Sequence, residues 1–288
     1  MQELVVSYEV MRWEEKAIID AARELGLSIT PFHLHTSFLL IGGGSQFKDP
    51  FNPGETVVIQ RAISHAVALN STLVLESAGL RVINNSAALA RALNKVWTLS
   101  LLAKAGIQTP RSAVVFSEEA GYKLTSLLNY PLVIKPIDGS WGRLVALIRD
   151  NEELRTILEH RAYIQSPNMK IHLIQEYVEK PGRDIRVFTI GDEVVTAIYR
   201  VSEHWITNTA RGGRAEPARV DHELEDIALK TARVLGVEFA GIDVFEDKHR
   251  GYVVNEVNSI PEFKNTVIAT GCKVHVRLVE YVKNLLKK

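Results

Sequence analysis

Only one cysteine, Cys272, occurs in 288 residues. That scarcity excludes an internal disulfide framework and a cysteine zinc site, and leaves Cys272 as a small hydrophobe of the interior. Net charge is missing as well, because 34 Lys and Arg balance 34 Asp and Glu. A broad nucleic-acid surface needs a basic excess, so only a local cationic pocket stays open. No apolar run is long enough to span a bilayer, and no charged leader with a cleavage site opens the chain. A cytoplasmic protein is the expectation. Methionine is scarce beside abundant Glu, Arg and Lys, a composition in line with a heat-adapted source. There is no Ser-His-Asp or Cys-His grouping, no internal repeat, and no Gly-x-Gly-x-x-Gly after the first strand.

What is present reads as alternating strands and helices. Leu4–Tyr8, Ser28–His33, Thr56–Gln60 and Arg81–Asn84 have strand character, with helices through Glu14–Ala22 and Ala62–Ala78. This alternation predicts an α/β unit with a small parallel sheet. Ser86 to Ala105 reads as one long helix ending at Gly106. A second unit follows, with strands at Ser112–Phe116, Leu132–Pro136, Val145–Ile148 and His172–Val178 and helices at Ser117–Leu128 and Asn151–His160. From Asp184 strands dominate, interrupted by helix Glu223–Leu235 and closed by helix Lys273–Lys287. Three lobes around a shared cleft are expected, with bounds 1–88, 89–172 and 173–288.

The most informative stretch is Val253-Val254-Asn255-Glu256-Val257-Asn258. Residues two apart on a strand share a face, so Glu256 and Asn258 aim together. Pairing with the preceding strand, Phe239–Phe245, brings Asp243 beside them. Asp, Glu and Asn offer only oxygen ligands, the set a hard cation such as Mg²⁺ prefers, with phosphates completing the shell. The expectation is a magnesium–nucleotide complex.

Cationic and backbone donors lie upstream. Lys95, in Leu93-Asn94-Lys95-Val96-Trp97, reads by itself as a solvated helix face. Lys135 ends the apolar strand Leu-Val-Ile-Lys-Pro, where an unpaired ammonium is costly, and an anionic ligand would account for it. The glycines of Asp138-Gly139-Ser140-Trp141-Gly142-Arg143 let backbone N–H groups approach phosphate oxygens, although an ordinary hairpin loop would use them equally. Gln175-Glu176-Tyr177-Val178 leads through a Pro-Gly turn to Asp184. It fits either a hinge presenting backbone groups to adenine and a carboxylate to ribose, or a buried strand and turn. Arg200 and the run Asn208-Thr209-Ala210-Arg211-Gly212-Gly213-Arg214 supply guanidiniums suited to phosphate and carboxylate. No single signal is specific; their order along the chain is.

That order, from Lys95 to Asn258, resembles the ATP-grasp carboxylate–amine ligases, and the N-terminal α/β unit resembles their pre-ATP-grasp domain. Within the superfamily the chain is similar to the RimK-related branch, through Ile134-Lys135-Pro136, Gly139–Arg143, Gln175–Val178, Gly182-Arg183-Asp184-Ile185-Arg186, Asn208–Gly213 and Asn255–Asn258. Ser259-Ile260-Pro261-Glu262-Phe263-Lys264 resembles a segment shared by LysX-type and ArgX-type ligases, which join an amino acid to the C-terminal glutamate of the small acidic carrier LysW. The next two residues separate the types: Asn with Thr or Ser for α-aminoadipate, Gly-Phe for glutamate. This chain has Asn265-Thr266. The stretch Leu34 to Gly54 is longer than the resemblance leads one to expect.

The resemblance implies ATP and Mg²⁺ as cofactors, with Asp243, Glu256 and Asn258 holding the metal. It implies nucleotide binding by Lys95, Lys135, Gly139, Ser140, Trp141, Gly142, Arg143, Gln175, Glu176, Tyr177, Val178, Asp184, Arg200 and Asn208. Arg200, Asn208 and Arg211 are the expected catalytic residues, and Lys264, Asn265 and Thr266 those that choose the amino acid. A homodimer or homotetramer is implied as well. The rival readings are a glutamate–LysW ligase, a bifunctional enzyme, a glutamylating enzyme of protein tails, an ATP-grasp kinase, and a nucleotide-binding regulator without turnover. Asn and Thr lack the bulk of Phe and leave room for one more methylene, a difference of about 1–3 kcal/mol. Replacing Asn265-Thr266 by Gly-Phe is therefore expected to move the ratio of α-aminoadipate to glutamate turnover towards glutamate; an unchanged ratio in a competition assay removes these residues from specificity.

Overall fold

The structure, a computed structural model, describes residues 2–41, 51–139, 142–205, 207 and 212–287. Strands β1 (Glu3–Tyr8), β2 (Ser28–His33), β3 (Thr56–Gln60) and β4 (Arg81–Ile83) form a parallel sheet in the order β2-β1-β3-β4. β3 is buried along its whole length, as a strand covered on both faces has to be. Helices α1 (Trp13–Glu24) and α2 (His65–Ser77) make crossovers. α1 starts without a Ser or Asp cap. Instead the Glu15 carboxylate accepts the Arg12 backbone N–H at 2.9 Å and its guanidinium at 2.8 Å. Arg12 is thereby held at the carboxyl edge of the sheet, where parallel sheets carry their ligands.

The expected long helix is two helices, α3 (Ser86–Leu93) and α4 (Lys95–Lys104). Asn94 between them is extended, at φ −110° and ψ 109°, and its side chain caps α4 by accepting the Trp97 N–H. Asparagine competes with helical hydrogen bonding in this way, and here it ends one helix while starting another. Lys95 consequently opens α4, its backbone N–H donating to Ile137 O at 2.8 Å, rather than sitting on a solvated mid-helix face.

A second, antiparallel sheet has the order β5-β8-β6-β7, from β5 (Ser112–Val115), β6 (Leu132–Pro136), β7 (Ala146–Ile148) and β8 (His172–Glu176). Helices α5 (Glu118–Leu124) and α6 (Asn151–Ala162) pack together with Leu132, Ile134 and Ile174 of this sheet. A third, also antiparallel, has the order β11-β10-β9-β12-β13. It consists of β9 (Arg183–Ile190), β10 (Glu193–Val201), β11 (Arg214–Pro217), β12 (Phe239–Asp247) and β13 (Gly251–Asn258), with α7 (His222–Leu235) crossing over it. Helices α8 (Lys264–Thr270) and α9 (Val274–Leu286) end the fold; neither α8 nor β11 has a periodicity that marked it in the sequence.

β8 pairs with β5 and β6 through Glu176, and Ala88, Ala92 and Leu102 of α3 and α4 lie in one core with Ile185, Ile242 and Val254 of the third sheet. Val274, Leu278 and Val282 of α9 share a core with Leu4, Val6 and Ile59 of the first sheet. Among the described residues no helix is long and apolar enough to cross a membrane.

Two buried polar residues sew the first sheet to the third region. Arg61 donates to Glu15 Oε1 and to Pro261 O, each at 3.0 Å. Asn84 donates Nδ2 to Phe239 O and Ser259 O at 2.6 and 2.7 Å, and accepts the Glu238 and Phe239 N–H groups at Oδ1. Asn84→Ala leaves these backbone groups without that partner, so a loss of roughly 2–4 kcal/mol is expected in denaturant unfolding. An effect below about 0.5 kcal/mol would show that the junction does not depend on this side chain.

Candidate active site

One face of the third sheet carries the charged residues. In its register Arg200 lies opposite Asp184, Asp243 opposite Arg186, and Asp243 opposite Glu256. Strand alternation puts these on the same side. The Arg200 guanidinium donates to both Asp184 oxygens at 2.7 and 2.8 Å and reaches Asp243 Oδ2 at 2.9 Å. Arg186 donates to the two Asp243 oxygens at 2.7 and 2.8 Å. Burial alone would raise the Asp184 carboxyl, but Arg200, then Lys180 and the Thr207 hydroxyl, hold it well below its ordinary value. The same two carboxylates hold Arg200 firmly charged despite its burial.

β13 departs from regular pairing between Glu256 and Val254, where Asn255 is the extra residue of a bulge. Asn255 Oδ1 accepts from Lys135 Nζ at 2.7 Å. Lys95 Nζ lies 3.3 Å from Glu256 Oε1 and donates to Gly139 O at 2.7 Å. Gly139 has φ +98°, a conformation that favours glycine, and it turns its carbonyl to Lys95. The Glu256 carboxyl, which burial would raise, is lowered by Lys95, Lys135 and Arg186. Lys135 moves the other way: burial outweighs the nearby Glu256 carboxylate and depresses its ammonium to about 8.

These residues enclose a cleft of about 780 Å³ between the second and third sheets. Of the sequence-predicted nucleotide residues, Lys95, Lys135, Gly139, Gly142, Arg143, Gln175, Glu176, Tyr177, Val178, Asp184 and Arg200 all line it. Ser140, Trp141, Asn208 and Arg211 lie outside the described residues. Val133, Val145, Pro110 and Phe245 supply its apolar walls. Three of the predicted side chains are already engaged. Gln175 is buried and donates to Ser112 Oγ, Glu176 is held by Arg111 and Arg250, and Asp184 grips Arg200. Where burial would raise the Glu176 carboxyl, Arg111 and Arg250 lower it.

A second cavity, of about 920 Å³, adjoins the cleft and shares Lys95, Gly139, Arg200 and Glu256 with it. Asn258 lines this cavity, and Asp243 lies beneath the guanidiniums of Arg186 and Arg200, its side chain 3 % exposed. A third, of about 760 Å³, holds Lys264, Asn265 and Thr266 and shares Arg12, Arg186, Arg200 and Glu262 with the second. Of the three predicted metal residues, Glu256 and Asn258 thus present oxygen donors at the boundary of two cavities, while Asp243 lies buried behind its two arginines. Asn258 donates its Nδ2 to Gly241 O, and its Oδ1 is the acceptor that remains. A carboxylate has about four acceptor sites, so Asp243 keeps capacity beyond its two arginines. This donor chemistry fits a hard cation; two carboxylates and one amide leave further positions to phosphate.

Arg12, His65, Lys180, Thr207, Asn255 and Glu262 line these spaces without having been singled out as site residues. Arg12 follows the first strand of a parallel sheet, the one sequence signal that would have found it. Lys180 bonds Thr207 Oγ1 at 2.8 Å and stands 4.8 Å from the Phe245 ring centre, contacts invisible to local patterning. Because burial depresses Lys135, Lys135→Met is expected to raise the melting temperature of the free protein while abolishing nucleotide binding. In the unaltered protein a phosphate ligand raises the Lys135 ammonium again. ATP binding should accordingly take up a proton above pH 8 and weaken as pH rises through that value, measurable by calorimetry in buffers of different ionisation enthalpy.

A RimK-like ATP-grasp domain matches residues 92–282. The chain is 45 % identical over 291 residues to the alpha-aminoadipate–LysW ligase LysX of Sulfurisphaera tokodaii, covering 99 % of both chains. It is 39 % identical over 281 residues to the glutamate–LysW ligase ArgX of Sulfolobus acidocaldarius, covering 96 % of each. In fold it is similar to a RimK domain ATP-grasp protein from Sphaerobacter thermophilus, with a TM-score of 0.77 at 22 % identity over 98 % of this chain and 99 % of that one. The lysines, the glycine loop and the carboxylate strand occupy one cleft between two antiparallel sheets, and with these matches they establish that the chain belongs to the RimK-like ATP-grasp family.

Proposed function

We propose that this chain is an ATP-dependent ligase that joins the amino group of α-aminoadipate to the side-chain carboxylate of the C-terminal glutamate of the carrier LysW, in lysine biosynthesis. One observation carries the reading. Arg200 lines all three cavities, so the cleft, the middle cavity with Glu256 and Asn258, and the pocket with Asn265-Thr266 adjoin one another around one guanidinium. The similarity to LysX at 45 % identity, against 39 % to ArgX, supports α-aminoadipate as the amino acid. Thr266 is buried at the base of α8, so a change of volume there is transmitted to the pocket.

A carboxylate is a poor acyl donor because its leaving group is poor. Transfer of the ATP γ-phosphoryl group to the carrier carboxylate gives an acyl phosphate and ADP. The free amine of α-aminoadipate attacks the acyl carbon, phosphate leaves, the amine gives up a proton, and an amide remains. Asp243, Glu256 and Asn258 would hold Mg²⁺, which supplies charge neutralisation between the phosphates. Lys95 and Lys135 receive phosphoryl oxygens. Arg200, fixed by Asp184 and Asp243, faces the charge that develops at the acyl centre. Asn208 and Arg211 are assigned to the acyl phosphate, and Lys264, Asn265 and Thr266 to the amino acid. In this reading residues 1–88, 89–172 and 173–288 act as the N-terminal region and two jaws, in a cytoplasmic homodimer or homotetramer.

Incubating LysW with the chain, ATP, Mg²⁺ and α-aminoadipate is expected to raise the carrier mass by one aminoadipyl unit. A gain only with glutamate would assign the chain to the other amino acid, and ADP release without any amine would mark a kinase. Glu256→Ala should stop ADP release while the chain stays folded by circular dichroism; ordinary turnover in that variant removes Glu256 from the metal site.

A further inference from the structure

Four cationic side chains, Arg12, Arg186, Arg200 and Lys264, line the outermost cavity, and the arginines differ in what they already hold. Arg186 and Arg200 grip Asp243 and Asp184, whose side chains are only 3 % exposed. Freeing a guanidinium from a buried carboxylate strands a charge and is strongly unfavourable. Arg12 is differently placed. Its Nε and Nη2 edge is fixed by Glu15 at 3.2 and 2.8 Å, and Glu15 is itself buried and held by Arg61. Its Nη1 points away from that pair, to Glu262 Oε1 at 3.0 Å, and the Glu262 side chain is 46 % exposed. An ion pair with so exposed a partner contributes little, because water and salt screen it. Arg12 therefore offers a guanidinium of fixed orientation whose remaining donor carries an easily displaced carboxylate.

Position decides which carboxylate it would take. Arg12 and Glu262 line both the middle cavity, beside Glu256 and Asn258, and the outer one. Lys264, Asn265 and Thr266 line only the outer one. The reacting amine of an amino acid must reach the middle cavity, and its α-carboxylate sits on the same carbon. The side-chain carboxylate then extends outward to Lys264 and its neighbours. Resting on the amino-acid ligase reading above, we propose that Arg12 is a substrate-binding residue that takes the α-carboxylate of the incoming amino acid by exchange with Glu262. Recognition is divided in this arrangement: Arg12 reads the end common to every α-amino acid, and α8 reads the length of the side chain.

A substrate-and-variant cycle tests this, with carrier and Mg–ATP saturating. The substrates are α-aminoadipate, 5-aminopentanoate, which lacks only the α-carboxylate, and norvaline, which lacks only the distal one. Arg12→Gln is expected to raise the KM for α-aminoadipate roughly 10- to 100-fold with the KM for ATP unchanged. The same substitution should leave 5-aminopentanoate nearly unaffected and should penalise norvaline as it does the full substrate. Glu262→Gln, which removes the competing carboxylate and leaves Arg12 and Glu15 in place, should lower the KM for α-aminoadipate. A loss with 5-aminopentanoate equal to that with α-aminoadipate would show that Arg12 only supports the fold, and an unchanged or raised KM in Glu262→Gln would overturn the exchange. If the unaltered enzyme uses glutamate and not α-aminoadipate, the reading of the amino acid fails, and the cycle is run with glutamate and 4-aminobutanoate to decide Arg12. Failure to use either dicarboxylic amino acid overturns both.

Discussion

Arg200 lies buried between two carboxylates, Asp184 and Asp243, and this charged ladder organises the site. Each member stands on a different strand of one sheet: Asp184 on β9, Arg200 on β10 and Asp243 on β12, with Arg186 of β9 closing the group. Desolvating these groups is costly, and only close, bidentate geometry offsets it. The register of the sheet is thereby tied to the site, because a slip of one residue would turn every one of these side chains to the opposite face. Lys180 and Thr207 add a further cation and hydroxyl to Asp184. The result is a rigid floor from which Arg200 faces all three cavities.

Around that floor the ligand-facing cations are held less firmly. Lys95 and Lys135 rest on Glu256 and Asn255, neighbours in the β13 bulge, and their partners are the groups that a metal–nucleotide complex would also address. Burial makes the Lys135 ammonium unfavourable in the free chain, which is the kind of local cost that active sites carry for function. Arg12 has the same character in the outer cavity, with one buried partner that aims it and one exposed partner. Buried pairs position the chemistry, and the partly exposed ones can be exchanged for ligand.

The first sheet is more than an appendage to this arrangement. Helix α9 completes its core from the far end of the chain, and Arg61 and Asn84 bond directly to the backbone around Pro261 and Phe239. The segment from Ser259 to Lys264, which joins β13 to the outer cavity, is therefore supported from the N-terminal side. Glu14 of α1 accepts the backbone N–H groups of Phe263 and Lys264 at 3.2 and 3.1 Å. The proposed choice between side chains differing by one methylene would need such support, because the discrimination available is small.

By itself the sequence determined the strands of the parallel sheet, since β1 and β3 follow from runs of apolar and β-branched residues with clear ends. It also marked part of the lining of the cleft: Lys135 on an apolar strand, the glycines after it and Glu256 are local signals with local causes. The break at Asn94 was there to be read as a cap and was masked by helical periodicity on both sides. Tertiary structure decided the rest. Only the pairing of β12 with β13 reveals that Asn255 is a bulge, and only the stacking of β9, β10 and β12 shows that Asp184 holds Arg200. Arg12 reaches Glu262 across 250 residues of chain. Such contacts depend on strand register and on the docking of separate sheets, and neither leaves a periodic trace in the residues it brings together.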